Sequence, residues 1–273
     1  MKIIEFFGVP CSGKTFLYEY FLKKSKIKNL RIYSYKSVIY KFASRDLKLN
    51  PIEIITIEYF KLIKLNKNNF RKNKTYKNNT PTKISPKFKF KNIISNQLYQ
   101  NYKKICNKIY LKFEKENKKF VLDFVNTIKK SKINHNRKAD LINWFKELCA
   151  SKYLINKNKN KIDYLIDDEG FVQRIFSFID IKNKKQIAKQ YLSNNIQPNY
   201  LIYLITDKKI LIKRSKKRYS GKQFKYKNNK QIDNYLKYEK FIINNIYNSR
   251  ILKIRSKYDK NKLIKNIYEY IKK

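Results

Sequence analysis

The sequence predicts an α/β fold in which helices flank a parallel sheet. Apolar runs suited to buried strands alternate with segments whose apolar residues recur at helical spacing, which favours parallel strands joined by right-handed crossovers. The length of 273 residues fits one such domain with insertions, so we expect a single domain covering residues 1–273. The runs assigned to strands are Ile3–Phe7, Leu30–Tyr35, Ile162–Ile166, Tyr200–Ile205 and Ile251–Ile254.

The first predicted strand leads directly into the motif Gly-x-x-x-x-Gly-Lys-Thr, which spans Gly8 to Thr15. Two of the four glycines in the chain, Gly8 and Gly13, occupy its glycine positions, where the lack of a Cβ lets backbone N–H groups curl around an anion. Lys14 can reach phosphates, and the Thr15 hydroxyl can ligate a Mg²⁺ ion that bridges them. The motif predicts a phosphate-binding loop, and the expected nucleotide-binding residues are Gly8, Cys11, Ser12, Gly13, Lys14 and Thr15.

A helix from Lys14 to about Lys24 is predicted after this loop. Leu17 and Phe21 belong to an apolar stripe that can pack on a sheet, and the positive end of the helix dipole would face the bound phosphates. Cys11 has two readings: a small residue that fills space, or a thiol made acidic by the helix N-terminus and Lys14.

The charge of the chain is strongly positive, with 66 Lys and Arg against 20 Asp and Glu and a net charge of +46. Such a charge suggests a nucleic-acid partner. Only nine of the basic residues are arginine, however, and the excess of Lys, Asn and Ile is typical of an A/T-rich genome. Because the lysines are spread over every predicted helix, we interpret them as solvated surface, and the composition disfavours a nucleic-acid partner.

The cysteines and the hydropathy indicate the cellular setting. Cys11, Cys106 and Cys149 are far apart and show no metal-ligand spacing, which is typical of reduced thiols in a cytosolic protein. No apolar stretch approaches the length of a membrane span. We therefore expect a cytoplasmic protein without a membrane partner.

Two regions depart from the alternating plan. Residues 66–92 are polar and punctuated by prolines, which predicts a mobile excursion. Residues 93–156 have helical periodicity, with one apolar stripe through Val121 and Phe124 and another through Leu141 and Phe145. We expect this second region to form a helical cap over the nucleotide site.

The third predicted strand runs into Asp167-Asp168-Glu169-Gly170, and Arg174 follows. A carboxylate at the carboxyl end of a strand beside the first strand can hold Mg²⁺, and Asp168 is our candidate. Glu169 would orient or deprotonate a hydroxyl group of the acceptor, and Gly170 would let the chain turn sharply into a helix that carries Arg174. The alternative is an ordinary acidic N-cap of a helix.

A basic segment follows the fourth strand, where Arg214 and Arg218 are four residues apart and hence on one face of a helix. Arginine offers planar, bidentate donors to phosphoryl oxygens that lysine cannot supply. With Gly221 as a hinge, these arginines predict a lid. The alternative is a solvated basic helix end stabilised by the helix dipole.

Together these motifs resemble the P-loop nucleoside and nucleotide kinase group, the adenylate kinase-like and thymidylate kinase-like proteins. The resemblance implies a three-layer P-loop NTPase sandwich with a five-stranded parallel core, and ATP with Mg²⁺ as phosphoryl donor. It also implies Arg174 near the acceptor or the transferred phosphate, and Arg214 and Arg218 closing over the donor phosphates. The chain departs from familiar members by reading Asp-Glu-Gly after the third strand, which leaves the acceptor open. Its opening also looks like uncharacterised bacterial P-loop proteins.

The leading hypothesis is ATP- and Mg²⁺-dependent phosphoryl transfer to a nucleoside, nucleotide or sugar-like acceptor, with Lys14, Asp168, Glu169, Arg174, Arg214 and Arg218 as catalytic residues. One alternative is a P-loop ATPase or switch without an acceptor. The sequence Asn160-Lys161-Ile162-Asp163 matches the guanine-reading pattern Asn-Lys-x-Asp, but it precedes the third strand, whereas GTPases carry it after a later one. A nucleic-acid-associated NTPase and a sulfotransferase are further alternatives.

Overall fold

A computed structural model of the protein shows an α/β fold with a five-stranded sheet, as the sequence predicts. The structure describes residues 1–24, 30–70, 86–193, 197–217, 226–255 and 259–272, leaving aside the side chains of residues 63–70, 86–95 and 260. The strands are β1 (Lys2–Phe7), β2 (Ile32–Tyr33), β3 (Tyr164–Asp167), β4 (Tyr200–Ile205) and β5 (Arg250–Arg255). Their order is β2-β3-β1-β4-β5, and every pairing is parallel.

Ten α-helices lie within the described residues. They are α1 (Lys14–Lys24), α2 (Tyr35–Asp46), α3 (Pro51–Phe70), α4 (Pro86–Glu116), α5 (Lys118–Lys130), α6 (His135–Lys157), α7 (Lys184–Leu192), α8 (Lys208–Lys216), α9 (Asn229–Ile243) and α10 (Lys260–Lys272). Two 3₁₀ helices, Lys159–Lys161 and Gln173–Phe178, lie before and after β3. Within the part of the chain that the structure describes, no helix is long and apolar enough to cross a membrane.

Strand β2 is shorter than the predicted run Leu30–Tyr35 because α2 begins at Tyr35. The Tyr35 N–H donates to Asp167 Oδ2 at 2.9 Å. The first N–H groups of a helix have no acceptor within the helix, and here the Asp167 side chain at the end of β3 supplies one for α2. At the other end, Arg31 forms an ion pair with Asp163 over 2.8 Å. Only Ile32 and Tyr33 remain to pair with β3.

The regions predicted as an excursion and a cap are partly described. Helix α3 continues to Phe70 and α4 begins at Pro86, so the ends of the 66–92 segment are helical, whereas residues 71–85 lie outside the described residues. Most of the 93–156 segment belongs to α4, α5 and α6. Its role as a cap stays a prediction.

The chain divides into two compact units. The first contains the whole sheet and comprises Met1–Tyr35, Lys119–Leu141 and Lys159–Lys273. The second is helical and comprises Lys36–Lys118 and Ile142–Asn158. Helix α6 contributes residues to both units, because the division falls after Leu141.

In the first unit, β1 is buried on both sides, as a central parallel strand must be. Ile4 and Phe6 belong to a buried cluster with Phe21 of α1 and Ile267 of α10. Because side chains alternate along a strand, Glu5 and Phe7 face the opposite side. There the Phe7 ring stacks on Phe176, with ring centroids 5.3 Å apart. Helices therefore cover both faces of β1.

The second unit has a core of its own. Tyr102 packs its ring against Tyr40 and Phe60, with centroids 5.6 and 5.2 Å away, and donates its hydroxyl to Glu147 at 2.9 Å. Helix α3 begins with a reciprocal cap in which the Glu53 N–H donates to Asn50 Oδ1 at 2.9 Å and the Asn50 N–H donates to Glu53 Oε2 at 3.1 Å.

Candidate functional site

The segment from Gly8 to Thr15 connects β1 to α1 in a tight turn. Cys11 and Gly13 have φ angles of 69° and 98°, both in the left-handed region. The Ser12 N–H donates to the Val9 carbonyl at 3.0 Å and closes the turn. Glycine is the residue that adopts such an angle without strain, which explains Gly13. The strand, loop and helix therefore occur in the predicted order.

Side chains from distant elements hold this loop. The Gly8 N–H donates to Gln173 Oε1 at 3.1 Å, and the Val9 N–H donates to Glu239 Oε1 at 2.9 Å. Tyr226 donates its hydroxyl to the Pro10 carbonyl at 2.6 Å. The backbone of the loop is therefore fixed by groups on the 3₁₀ helix Gln173–Phe178, on α9 and just before α9.

Sequence reasoning missed Glu239, although the sequence carries a signal for it. Helix α9 buries Ile232, Tyr235, Tyr238 and Ile242, and Glu239 lies within that apolar face with only 3% of its surface exposed. A carboxylate among buried apolar positions needs partners to offset its desolvation. Glu239 finds them in the Val9 N–H and in the Tyr203 hydroxyl, which is 3.0 Å away.

Burial raises the pKa of Glu239 to about 7, against hydrogen bonds from Tyr203 and Val9 that lower it. A carboxyl group whose pKa is higher in the folded protein binds its proton more tightly there, so stability is lost as pH rises from about 4.5 to about 7. We expect Glu239→Gln, which cannot ionise, to gain stability relative to the parent over this range, by on the order of 3 kcal/mol at most. Urea unfolding at pH 5, 6, 7 and 8 measures this difference, and a pH-independent difference would contradict it.

Arg214 of α8 reaches the same loop from the carboxyl side of β4. Its Nη1 donates to the Ser12 carbonyl and, at 3.5 Å, to the Cys11 carbonyl. A Cβ at Gly13 would lie 3.1 Å from this nitrogen, so the glycine also leaves room for the guanidinium group. In this structure Arg214 therefore holds the loop, and its predicted action on donor phosphates stays a prediction. Arg218 and Gly221, the rest of the predicted lid, lie outside the described residues.

Replacing Arg214 by lysine is expected to loosen the loop, because an ammonium group cannot reproduce the planar guanidinium fork. Amide exchange at Ser12 and Leu17, whose N–H groups bond the Val9 and Gly13 carbonyls, should accelerate by up to about tenfold. Hydrogen–deuterium exchange of the parent, Arg214→Lys and one control variant measures the change. Arg255→Lys, at an exposed position on β5, serves as the matched control, and equal exchange in all three proteins would refute the role of Arg214.

The carboxylates at the end of β3 and just after it have separate roles. Asp167 is buried and accepts the N–H groups of Tyr35 and Glu169, both at 2.9 Å, so it caps the local backbone. Asp168 is half-buried. The exposed Glu169 forms an ion pair of 2.9 Å with Arg174, whose Nε also donates to the Glu169 carbonyl at 3.2 Å. Two predicted site residues, Glu169 and Arg174, are thus in direct contact.

Glu5, in the middle of β1, is the second carboxylate that sequence reasoning missed. It is fully buried and accepts the N–H groups of Phe171 and Val172 at 2.7 and 2.8 Å and the Tyr35 hydroxyl at 2.9 Å. Burial raises its pKa to about 7 despite these hydrogen bonds. A lone carboxylate within the apolar run Ile3–Phe7 was the available signal.

Gly170 makes this arrangement possible. A Cβ at Gly170 would lie 2.4 Å from Glu5 Cδ and 2.5 Å from Glu5 Oε1. The predicted reason for this glycine was freedom to turn sharply, but Gly170 does not have a positive φ angle. The structure gives a different reason, which is the close approach of the Glu5 side chain. The chain from Gly170 to Val172 is therefore bound directly to the central strand.

A cavity of about 220 Å³ lies at Lys14 of the Gly8–Thr15 loop, within the first unit. Its lining includes three residues that the sequence predicts for the site, Lys14, Glu169 and Arg174. It also includes Arg137 and Tyr235, to which sequence reasoning assigned no role. The predicted metal ligands are next in the chain to two of these residues: Thr15, exposed in the first turn of α1, follows Lys14, and Asp168, just after β3, precedes Glu169.

The Asn-Lys-x-Asp pattern that ends at Asp163 lies at the amino ends of the strands, opposite to the ends where the Gly8–Thr15 loop lies. It precedes β3, whereas the loop follows β1, and these strands are parallel. The Asp163 carboxylate is bound by Arg31, which donates from Nη2 at 2.8 Å, Nε at 3.2 Å and its backbone N–H at 2.9 Å. These contacts favour a structural role for the pattern.

No protein-family profile matches the chain, and no curated protein is significantly similar to it.

Proposed function

We propose that the protein binds ATP with Mg²⁺ at residues Gly8–Thr15 and transfers its terminal phosphoryl group to a small-molecule acceptor. The observation that supports this most strongly is the loop itself. It follows a central parallel strand, turns through left-handed angles at Cys11 and Gly13, and leads into α1 with Lys14 beside a cavity. The carboxyl end of a parallel sheet is the usual place for nucleotide binding in open α/β folds.

The residues present fit a bound triphosphate. The first N–H groups of α1 have no acceptor within the helix, and the positive end of the helix dipole is at the same place. Ser12 Oγ is buried beside Gly8 and has no hydrogen-bond partner in the described part of the chain. We assign the phosphates to Lys14 and the loop backbone, and Mg²⁺ to Thr15 and Asp168. When bound, Mg-ATP supplies the phosphoryl group to be transferred.

The protein's own groups have three tasks in this proposal. Gln173, Glu239 and Arg214 fix the loop before any ligand arrives, so little reorganisation is needed on binding. Lys14 and Arg174 supply positive charge at the cavity. Arg174 also positions Glu169 by a hydrogen bond to its Oε2, and we assign to the Glu169 carboxylate the acceptance of a proton from an acceptor hydroxyl group.

The test is ADP release by the purified protein with Mg-ATP, measured against pools of nucleosides, nucleotides, sugars and sugar phosphates. We expect release that depends on one pool and disappears in Lys14→Ala. Release that ignores every pool would instead support an ATPase or switch. Absence of ATP binding would overturn the proposal, and tight, steeply salt-dependent binding of nucleic acid would favour a nucleic-acid-associated protein.

A further inference from the structure

Glu239 is a buried carboxylate that contacts the Gly8–Thr15 loop. Among the described residues it forms no ion pair, and its two hydrogen bonds come from the Val9 N–H at 2.9 Å and the Tyr203 hydroxyl at 3.0 Å. An ionised carboxylate that is buried without a counter-ion loses its hydration and gains no opposite charge in return. The charged and neutral forms of Glu239 are therefore close in free energy near neutral pH, in line with a pKa raised to about 7.

The charged groups around α9 do not neutralise this carboxylate. Lys240, the next residue on α9, lowers the pKa of Glu239 through its charge, but its side chain is exposed to water, which screens that charge. Elements that pack against α9 carry cations bound to other groups: Arg174 to Glu169, Lys184 to Asn234, Lys208 to Asp233, and Arg214 to the Ser12 carbonyl. In the described part of the chain, Tyr203 of β4 is the one titratable side chain in hydrogen-bond contact with Glu239.

The Tyr203 hydroxyl lets Glu239 keep both hydrogen bonds in either protonation state. A hydroxyl group can donate or accept, so it donates to Oε2 of the ionised carboxylate and can accept from that oxygen when the oxygen carries a proton. Oε1 accepts the Val9 N–H in both states. Protonation of Glu239 therefore changes the charge beside the loop and leaves the hydrogen bonds that hold the loop in place.

We propose that Glu239 takes up a proton from the solvent when a phosphate group binds to the Gly8–Thr15 loop, so that the loop binds phosphates more tightly at pH 6 than at pH 8. The inference rests on the proposed function for the phosphate at the loop. A second negative charge near Glu239 disfavours its ionised form, and by linkage the protonated form must bind the phosphate more tightly. Affinity is therefore highest where Glu239 is protonated and falls as pH rises through its pKa. The proton is carried by Oε2, which then donates to Tyr203.

Calorimetric titration with Mg-ADP at pH 6, 7 and 8 tests this coupling without requiring turnover. Repeating each titration in two buffers with different ionisation enthalpies gives the number of protons taken up on binding. The proteins are the parent, Glu239→Gln, Tyr203→Phe and the control Glu269→Gln, which removes an exposed carboxylate of α10. Glutamine can accept from Val9 and donate to Tyr203, so it imitates the protonated acid. Comparing proteins at the same pH removes the titration of the nucleotide itself, and circular dichroism confirms that each variant is folded.

Between pH 6 and pH 8, the affinity of the parent should fall about tenfold more than that of Glu239→Gln, and the parent should take up more protons. Tyr203→Phe should shift the fall to higher pH, because it removes a hydrogen bond that lowers the pKa of Glu239. Glu269→Gln should follow the parent. Equal pH dependence in the parent and Glu239→Gln, or a variant weakened by the same factor at every pH, would overturn the inference and leave nucleotide binding intact. Absence of Mg-ADP binding at every pH would overturn the proposed function as well.

Discussion

Lys14→Ala is expected to weaken the binding of Mg-ATP by about 100-fold and to abolish turnover, because it removes a cation from the position where the phosphates are proposed to lie. Lys14 is placed there by the backbone: Gly13 has a φ of 98°, and α1 begins at the next residue. Titration with a non-hydrolysable ATP analogue measures the affinity independently of chemistry.

The matched control for this experiment is Lys23→Ala, an exposed lysine in the last turn of the same helix. It removes the same charge from a chain of net charge +46, so it reports any general electrostatic attraction of nucleotides. We expect the control to bind Mg-ATP within about twofold of the parent. If Lys14→Ala and the control bound equally well, the assignment of the loop as a phosphate site would fail.

Gly170→Ala is expected to destabilise the protein by about 1 to 3 kcal/mol, as overpacking of a buried site does. The new Cβ would lie 2.4 Å from Glu5 Cδ. The carboxylate cannot move aside freely, since it accepts hydrogen bonds from Phe171, Val172 and Tyr35. Urea unfolding at constant pH gives the change in the free energy of unfolding.

A double-mutant cycle with Glu5→Ala identifies the cause. Glu5→Ala alone is destabilising, because it leaves two backbone N–H groups without their acceptor. In that background the added cost of Gly170→Ala should nearly vanish, since the atom that it would meet is gone. Strictly additive costs would show that Gly170 is needed for its backbone conformation and not for the approach of Glu5.

The sequence was most informative where the signal is local. The run Tyr200–Ile205 matches β4 residue for residue, and the loop pattern Gly8–Thr15 lies between β1 and α1 as expected. Both depend on neighbouring residues: strand burial is seen in a continuous apolar run, and a turn is seen in its glycines. The parallel sheet followed from the alternation of these local elements.

The interactions that hold the candidate site are not local, and this is why they were missed. Glu239 is 230 residues from its partner Val9, and Glu5 is 166 residues from Phe171. Arg137 meets Ser177 only because α6 and the 3₁₀ helix Gln173–Phe178 come together in the fold. Periodicity places each residue on an element, but it does not tell which distant element that face will contact.

The position of β1 has a consequence for how the polypeptide is made. This strand leaves the ribosome before its two neighbours, β3 and β4, which begin at Tyr164 and Tyr200. The apolar segment Ile3–Phe7 therefore stays without either partner strand until β3 and β4 have been synthesised, at about 5 to 20 residues per second. Such non-local pairing slows folding, and an unpaired apolar strand is prone to aggregate. Nascent chains that end before β4 should therefore depend on chaperones, and chains that extend beyond β4 should not.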